Sequence, residues 1–212
     1  MLTIGFIFGI LFIFLCDTNI RKKAGMFKKD EVRVDDILFE KFIDTFEIQE
    51  VVKEIATKIN TDYQTGTPLI VPVLNGAFIF AADLIRHLWV DCQLSFIKAT
   101  SYDGTNSGDI QKKFGLDLPV AGRQIIIVED IVDSGNTLCY LQQEMERIGA
   151  EDVKIASLLF KPKACVNDVK IDYLGRNIDN KFVVGYGMDY NGLGRNLPAI
   201  YQARDDLGKV MD

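Results

Sequence analysis

The fold of this chain is decided by one stretch, which reads Gln124-Ile125-Ile126-Ile127-Val128-Glu129-Asp130-Ile131-Val132-Asp133-Ser134-Gly135-Asn136-Thr137-Leu138. Residues 124–128 form an apolar run that is typical of a strand buried on both faces. A small polar turn follows, and from Leu138 apolar side chains recur at helical spacing until Gly149, a residue type that ends helices. A buried strand, a turn and a helix in succession indicate one unit of a parallel α/β sheet.

The sequence on either side repeats this alternation. Strands are predicted at residues 69–74, 94–99, 124–128 and 153–160, and helices at residues 44–60, 77–88 and from 138 onward. Asp44, with Glu47 three residues later, is a helix start signal. This order predicts an α/β fold with a mainly parallel, twisted sheet flanked by helices. Residues 26–212 are interpreted as a single domain, in which residues from about 161 to 212 add an edge strand and a small flap, or hood, over the carboxyl ends of the strands.

Composition excludes several classes of function. The chain has 212 residues, a net charge of −6 at pH 7 and a pI near 4.9. This acidic balance argues against nucleic acid as a partner, because binding a phosphate backbone needs clustered Lys and Arg. The single histidine cannot by itself supply a His-based triad or a multi-His metal site. The four cysteines are widely spaced and form no CxxC pair, so neither a disulfide framework nor a zinc site is indicated.

The N-terminus leaves two interpretations open. Residues 4–15 are an almost unbroken apolar run, shorter than the roughly 20 residues that span a bilayer as a helix. Arg21, Lys22 and Lys23 follow it, which would suit a short membrane anchor. Alternatively, residues 1–25 are an extension outside the fold, and Met26 is a plausible start for the working protein. We adopt the second interpretation and expect a cytoplasmic protein without stable membrane association.

The turn after the buried strand has the chemistry of a phosphate site. Ser134 to Thr137 offer backbone N–H groups, a glycine that permits close approach, two hydroxyls and the positive end of a helix dipole. The adjacent Glu129 and Asp130 are carboxylates that could accept hydrogen bonds from sugar hydroxyls and help to hold Mg²⁺. Neither GxxxxGK[ST] nor GxGxxG is present, so this is not one of the common nucleotide loops. The alternative for a lone Asp-Ser-Gly turn is a helix cap.

The stretch 128–138 resembles the phosphoribosyl pyrophosphate (PRPP) binding motif of the type I phosphoribosyltransferases, and the similarity extends over roughly residues 35–202. A second stretch, Phe182-Val183-Val184-Gly185-Tyr186 followed by Asp189-Tyr190-Asn191, is similar to the purine-binding flap of the hypoxanthine-guanine members. The resemblance implies a purine salvage enzyme that transfers 5-phosphoribosyl from PRPP to hypoxanthine or guanine. The implied products are IMP or GMP and pyrophosphate, the implied cofactor is Mg²⁺, and the implied assembly is a homodimer or homotetramer.

The resemblance also implies roles for individual residues on the PRPP side. Asp133 would be the catalytic base or proton acceptor near the imidazole nitrogens of the purine. The residues implied in holding PRPP, its ribose, its 5′-phosphate or its pyrophosphate are Glu129, Asp130, Ser134, Gly135, Asn136, Thr137, Leu74, Asn75, Gly76 and Arg195. In the family a cis peptide bond commonly follows the residue matching Leu74. Many members have Lys where Asn75 stands here, which puts the affinity for pyrophosphate in doubt.

On the purine side, Lys161 would donate a hydrogen bond to the 6-oxo group and thereby reject adenine. Phe182 would stack on the purine ring, and Val183 would contact the base through its backbone. Asp189 would lie near pyrophosphate and join Glu129 and Asp130 as a metal ligand. Ser101 and Tyr102 would belong to a lid, residues 100–119, that closes over the reacting sugar.

Two rival functions remain open from the sequence. One is an enzyme of the same family that prefers xanthine, because contacts to the 2-position of the base are not fixed by these motifs. The other is a PRPP- or nucleotide-sensing regulator that keeps the fold without catalysis. Such a regulator would need a basic surface for nucleic acid, which the net charge does not favour.

Overall fold

A computed structural model describes residues 30–98 and 116–204. In chain order the elements are β1 (Glu31–Val34), β2 (Ile37–Ile43), α1 (Thr45–Asp62), β3 (Leu69–Leu74), α2 (Phe78–Arg86), β4 (Gln93–Leu94), β5 (Ile97–Lys98), β6 (Gln124–Val132), α3 (Asn136–Arg147), β7 (Asp152–Phe160), β8 (Tyr173–Asn177), β9 (Val183–Val184) and β10 (Ile200–Ala203). The predictions for residues 1–25 and for the lid residues Ser101 and Tyr102 lie outside the described residues. No helix within the described ranges is long and apolar enough to cross a membrane.

The central sheet is parallel, as predicted. Its strand order is β4-β3-β6-β7-β8, and β5 also pairs with β3. Successive residues of a strand point to opposite faces, and β6 is apolar at successive positions, so both of its faces need a cover. Ile126 and Val128 face a core shared with α1 and α2, whereas Ile125 and Ile127 face the core beneath α3. The predicted α/β architecture with helices on both faces is therefore confirmed.

Local signals define the helix ends. Asp44 is the N-cap of α1, and its Oδ1 accepts a hydrogen bond from the backbone N–H of Glu47 at 2.9 Å, as the sequence predicts. Past the C-terminal end of α3, Gly149 has a φ of +92°, which only glycine adopts freely. Since β6 ends at Val132 and α3 begins at Asn136, the N-terminus of α3 lies at the carboxyl edge of the sheet.

The hood differs from its prediction. It is an antiparallel sheet of order β1-β2-β10-β9, so half of its strands come from residues 31–43 rather than from the C-terminal tail. Within the tail, β8 is not part of the hood and pairs parallel with β7 in the central sheet. The first and last strands of the described residues meet in this sheet, because β2 and β9 each pair with β10, and Phe39, Val184 and Tyr201 share one buried cluster.

Two strand bounds also need correction. The buried strand was predicted to end at Val128, with Glu129 and Asp130 at its end, but β6 continues to Val132 because its pairing with β7 extends to Val132 and Phe160. Both acids therefore lie within the strand. The strand predicted at residues 94–99 is interrupted, since β4 and β5 are separate two-residue strands that pair with different parts of β3.

Candidate active site

Two adjoining cavities open at the carboxyl ends of β3, β6 and β7. The first, of about 260 Å³, is lined by Val73, Leu74, Gly76, Glu129, Ile131, Val132, Asp133, Ser134, Gly135, Thr137 and Leu138. The second, of about 300 Å³, is lined by Gly76, Asp130, Ile131, Asp133, Lys161, Phe182, Val183, Met188, Asp189 and Arg195. Gly76, Ile131 and Asp133 belong to both. The carboxyl end of a parallel sheet is where open α/β folds bind ligands.

The first cavity contains the predicted phosphate cradle. Gly135 has a φ of +79° and precedes α3, whose hydrogen bonds begin when Cys139 N donates to Gly135 O at 3.0 Å. The first N–H groups of a helix have no partner within the helix, and here Asn136 N makes only a long hydrogen bond of 3.4 Å to Ser134 Oγ, so an anion could bind these groups. Ser134, Gly135 and Thr137 line this cavity. The Asn136 side chain is exposed and does not line either cavity.

Glu129 and Asp130 face different cavities because successive residues of a strand alternate in direction. Glu129 lines the first cavity and Asp130 the second. Burial, followed by the nearby charge of Asp130, raises the pKa of Glu129 well above its ordinary value. Burial also raises the pKa of Asp130. The fold alone therefore disfavours two negative charges at this position, and a nearby cation would favour them.

A salt bridge connects the ends of β6 and β7. Lys161 Nζ lies 2.7 Å from Asp133 Oδ2, and the lysine side chain is only 7% exposed whereas the aspartate is 54% exposed. The backbone holds the lysine in place, since Lys161 N donates to Val132 O at 2.9 Å. A buried ammonium beside an accessible carboxylate gives the second cavity one strong donor and one strong acceptor.

The hood contributes an aromatic wall to the second cavity. Phe182 is partly buried, and its ring lies 6.2 Å from that of Phe39 and 5.7 Å from that of Tyr190, the latter edge to face. Val183 is in β9, which pairs with β10 in the hood sheet. These contacts fix the ring beside Lys161, where a flat apolar ligand could lie against it.

Arg195 and Asp189 form an ion pair at the edge of the second cavity. Arg195 Nη2 is 2.5 Å from Asp189 Oδ1, and Arg195 Nη1 donates to Gly187 O at 2.6 Å. Asp189 Oδ2 accepts a hydrogen bond from Gly192 N at 2.7 Å. The guanidinium is thus held in one orientation by the flap itself, with its charge facing the cavity.

The loop after β3 closes the other side of the site. The Leu74–Asn75 peptide bond is cis, as the family resemblance implied. Leu74 and Gly76 line the first cavity, but the Asn75 side chain is exposed and lines neither. A Cβ on Gly76 would lie 2.0 Å from Asp130 Oδ2, so only glycine allows the loop to approach β6 this closely.

The donor set suits Mg²⁺ in part. Within residues 30–98 and 116–204, no group of three or more His, Cys, Asp and Glu is arranged to hold a metal, so Glu129, Asp130 and Asp189 do not form one site. Mg²⁺ commonly takes only one or two protein carboxylates together with waters and substrate phosphates. The Glu129 and Asp130 carboxyls fit that pattern as one ligand each, because each lines a cavity and burial, which raises its pKa, disfavours its charge unless a cation is near. Asp189 fits less well, since Arg195 and Gly192 already occupy its oxygens.

Several residues of the site were not predicted, among them the apolar Val73, Val132 and Leu138 of the first cavity and the three residues that follow. Ile131 lines both cavities, and its place between Glu129 and Asp133 on alternate positions of β6 would have indicated it. Met188 lines the second cavity, and its position next to Asp189 in the flap would have indicated it as a site residue. Asn167 donates to Ser134 O at 3.0 Å from a loop after β7, and no local pattern signals that contact.

Residues 43–191 match the phosphoribosyl transferase domain. The hypoxanthine-guanine phosphoribosyltransferase of Bacillus subtilis is 42% identical over 156 residues, which cover 73% of this chain and 87% of that protein. The chain belongs to the hypoxanthine-guanine phosphoribosyltransferase family. The protein of the same name from Lactococcus lactis is 40% identical over 174 residues, 80% of this chain and 93% of the relative.

Solved structures of this family have the same fold. A hypoxanthine-guanine phosphoribosyltransferase from Bacillus anthracis superposes with a TM-score of 0.70 at 36% identity, covering 78% of this chain and 96% of that one. The hypoxanthine phosphoribosyltransferase of Trypanosoma cruzi gives 0.71 at 30% identity, covering 83% and 96%. The type I phosphoribosyltransferase fold and the assignment as an enzyme of this family, both expected from the motifs, are confirmed.

Proposed function

We propose that this enzyme transfers 5-phosphoribosyl from PRPP to hypoxanthine or guanine, with Mg²⁺, and releases IMP or GMP and pyrophosphate. The observation that supports this best is the position of Asp133, which lines both cavities and pairs with Lys161. One cavity offers a phosphate cradle and the other an aromatic wall with a buried ammonium. A residue on their common wall is therefore placed where a sugar phosphate and a base would meet.

Lys161 supplies the choice of base. Its ammonium can donate to a 6-oxo group, whereas the 6-amino group of adenine would present a donor to a donor. A buried donor that loses its partner costs about 1–3 kcal/mol or more, so such a contact discriminates strongly. Lys161 is already paired with Asp133, so a 6-oxopurine would join an existing hydrogen-bonded group rather than neutralise an isolated charge.

Asp133 is proposed to handle the proton of the reaction. A purine ring nitrogen forms its bond to C1′ of the ribose as the bond from C1′ to pyrophosphate oxygen breaks. The electron pair of the broken bond leaves with pyrophosphate, and the imidazole proton of the purine passes to the Asp133 carboxylate. Lys161 restrains that carboxylate through the 2.7 Å contact while its accessible oxygen faces the base.

The leaving group would be stabilised by positive charge at the edge of the second cavity. Arg195, held by Gly187 O, would donate to pyrophosphate oxygens. Glu129 and Asp130 would hold Mg²⁺ or accept hydrogen bonds from the ribose hydroxyls. Bound there, Mg²⁺ would offset the charge that develops on pyrophosphate.

The test is a spectrophotometric assay with PRPP and each of hypoxanthine, guanine, xanthine and adenine, with and without Mg²⁺. We expect turnover of hypoxanthine and guanine only with Mg²⁺, and a fall in kcat of roughly 10²–10⁴-fold in Asp133→Asn, the range for loss of a general base. Asp91→Asn is the matched control, because Asp91 is exposed and lines neither cavity.

Other outcomes would redirect the proposal. Faster turnover of xanthine than of the other bases would move the assignment to a xanthine-preferring enzyme. Turnover of adenine would contradict the role given to Lys161. Full activity of Asp133→Asn would remove Asp133 from the mechanism.

A further inference from the structure

The phosphate cradle is held from behind by one loop. We call residues 161–169, which follow β7, the buttress loop. The carbonyl oxygen of Ser134 accepts hydrogen bonds from Asn167 Nδ2 at 3.0 Å and from Val166 N at 3.2 Å, and Cys165 Sγ lies 3.7 Å away. A single carbonyl with this many donors cannot rotate without losing several of them.

The orientation of that carbonyl fixes the direction of the next N–H group. Within the described residues only the Leu74–Asn75 bond is cis, so the Ser134–Gly135 peptide is trans. In a trans peptide the C=O and the following N–H point in opposite directions. Because Ser134 O faces the buttress loop, the N–H of Gly135 points away from that loop, and Gly135 itself lines the first cavity.

The buttress loop also restrains the two residues beyond the carbonyl. A Cβ built on Gly135 would lie 3.0 Å from both Cys165 Sγ and Val169 Cγ2, so the loop covers that side of the glycine closely. Asn167 Nδ2 makes a second, shorter hydrogen bond of 2.6 Å to Asn136 Oδ1, at the first residue of α3. One side-chain amide therefore connects the Ser134 carbonyl with the side chain of Asn136, the residue that begins α3.

We propose that Asn167 is a positioning residue for the 5′-phosphate of the substrate and nucleotide product. It lines neither cavity and would touch no substrate atom. It acts by holding Ser134 O and Asn136, so that the N–H groups of the cradle face the phosphate before it binds. The inference rests on the proposed function, since it takes the ligand of the cradle to be that phosphate.

The test compares a nucleotide with its nucleoside, because the two differ only in the phosphate. Binding of IMP and of inosine is measured by calorimetry on wild type, Asn167→Ala and the neutral, nearly isosteric Asn167→Leu. We expect both variants to lose about tenfold in affinity for IMP, as for loss of two partly exposed hydrogen bonds that together contribute on the order of 1 kcal/mol. Affinity for inosine should stay within about twofold, the range for substitutions that touch nothing in its site.

Steady-state kinetics supply a second readout. The KM for PRPP should rise in both variants by a similar factor, while kcat at saturating PRPP and the KM for hypoxanthine stay near wild type. Asp168→Ala is the matched control, because Asp168 is the next residue, is exposed and makes no hydrogen bond or ion pair with any described residue. It should leave both affinities unchanged.

The outcomes separate this inference from the function on which it rests. Unchanged IMP affinity in both variants, or equal weakening of IMP and inosine as in a general loss of structure, would overturn the positioning role. A wild-type enzyme that binds IMP no more tightly than inosine and does not consume PRPP would defeat the proposed function, and the inference with it. Failure of the positioning role would be seen only in the variants, whereas failure of the proposed function would already be seen in the wild-type enzyme.

Discussion

At the scale of single residues, ionisation of the buried acids Glu129 and Asp130 in β6 lowers the stability of the fold. The pKa of Glu129 is raised chiefly by burial, so the folded protein binds its proton more tightly than the unfolded chain does. As the pH rises from the ordinary value of 4.5 toward the folded value, the folded state holds the extra proton, and stability falls through that window. Above both pKa values the Glu129 carboxyl is ionised in the folded and in the unfolded protein, and the folded state bears the full free-energy cost of burying that charge.

Glu129→Gln is therefore expected to stabilise the protein at neutral pH. In the absence of Mg²⁺ and PRPP, its thermal midpoint at pH 7–8 should exceed that of wild type by about 2–4 °C, or ~1 kcal/mol for a chain of this size. The difference should shrink as the pH falls toward 4.5, where the wild-type carboxyl becomes protonated in both states. Thermal denaturation followed by circular dichroism across this pH range measures it.

Glu54→Gln provides the control for that measurement, because Glu54 is an exposed acid on α1. It should leave the midpoint unchanged at every pH. A lower midpoint for Glu129→Gln at neutral pH would mean that the ionised carboxylate stabilises the fold, contrary to the sign derived from its burial.

Much of the site was predictable because its residues stand in two compact strings. Asp133 and the cradle lie together in the sequence, and so do Phe182 and Val183. Lys161 was placed through the resemblance at the end of its strand. Asn167 was missed because its partner Ser134 is 33 positions away and the contact depends on how one loop folds back. No periodicity in the sequence records such a contact.

At the scale of elements, the flap of the hood depends on glycine for close packing. Gly187 has a φ of +104°, and a Cβ there would lie 2.1 Å from Gly76 O in the loop after β3. Gly192, in the same flap, has a φ of +80° but nothing within 4 Å of its Cβ position. Both positions have a positive φ, which favours glycine. Only Gly187 also lacks space for a Cβ atom.

Alanine substitutions separate these requirements. Gly192→Ala should cost about 1–2 kcal/mol, the strain of a left-handed conformation. Gly187→Ala should cost about 2–5 kcal/mol, because overpacking against the Gly76 backbone adds to that strain. It should also raise the KM for PRPP, since Gly76 lines the first cavity. Urea unfolding and steady-state kinetics give both quantities, and equal costs for the two variants would show that packing at Gly187 is unimportant.

Strands β1, β2 and β8 were not predicted, because their sequences carry weak strand signals. β1 and β2 join through Asp35-Asp36, where Asp35 has a φ of +53°, but two acids are a weaker hairpin signal than Asp-Gly. β8 contains Gly175 and lacks an apolar run, and its glycine is needed because a Cβ there would lie 2.4 Å from Leu158 O. In contrast β6 and β7 are buried on both faces, and their composition identifies them.

At the scale of the whole molecule, the hood and the central sheet share one core. Ile43, Tyr186 and Ile200 of the hood belong to the same buried cluster as Phe80 and Ile126. Tyr186 is only 4% exposed, and its hydroxyl donates to Asp83 Oδ2 of α2 at 2.7 Å. Because buried apolar contacts and a partly buried hydrogen bond both cross this boundary, we expect the described part of the chain to unfold as one unit.

Tyr186→Phe tests that expectation. The variant leaves the partly buried Asp83 carboxylate without one of its donors, so the unfolding free energy should fall by about 1–3 kcal/mol. The loss should appear as a shift of a single transition, the same by fluorescence and by circular dichroism. A separate early transition would mean that the hood unfolds independently.

Tyr63→Phe is the matched comparison, because Tyr63 is also buried but its hydroxyl has no hydrogen-bond partner among the described residues. Removing an unsatisfied buried hydroxyl should leave stability unchanged or raise it. A loss as large as that of Tyr186→Phe would show that the bond to Asp83 is not what Tyr186 contributes.

The buttress loop has a consequence for how this enzyme can change over generations. It begins at Lys161, which lines the second cavity and pairs with Asp133, and reaches Asn167, which donates to Ser134 O in the cradle. Pro162 and Lys163 between them are exposed, so their identity is open to mutation. The number of residues between Lys161 and Asn167 is not open to change, because an insertion or deletion there would displace one of these two residues relative to the other. Heritable variation in this loop is thus expected as exchanges of side chains, and not as changes in length.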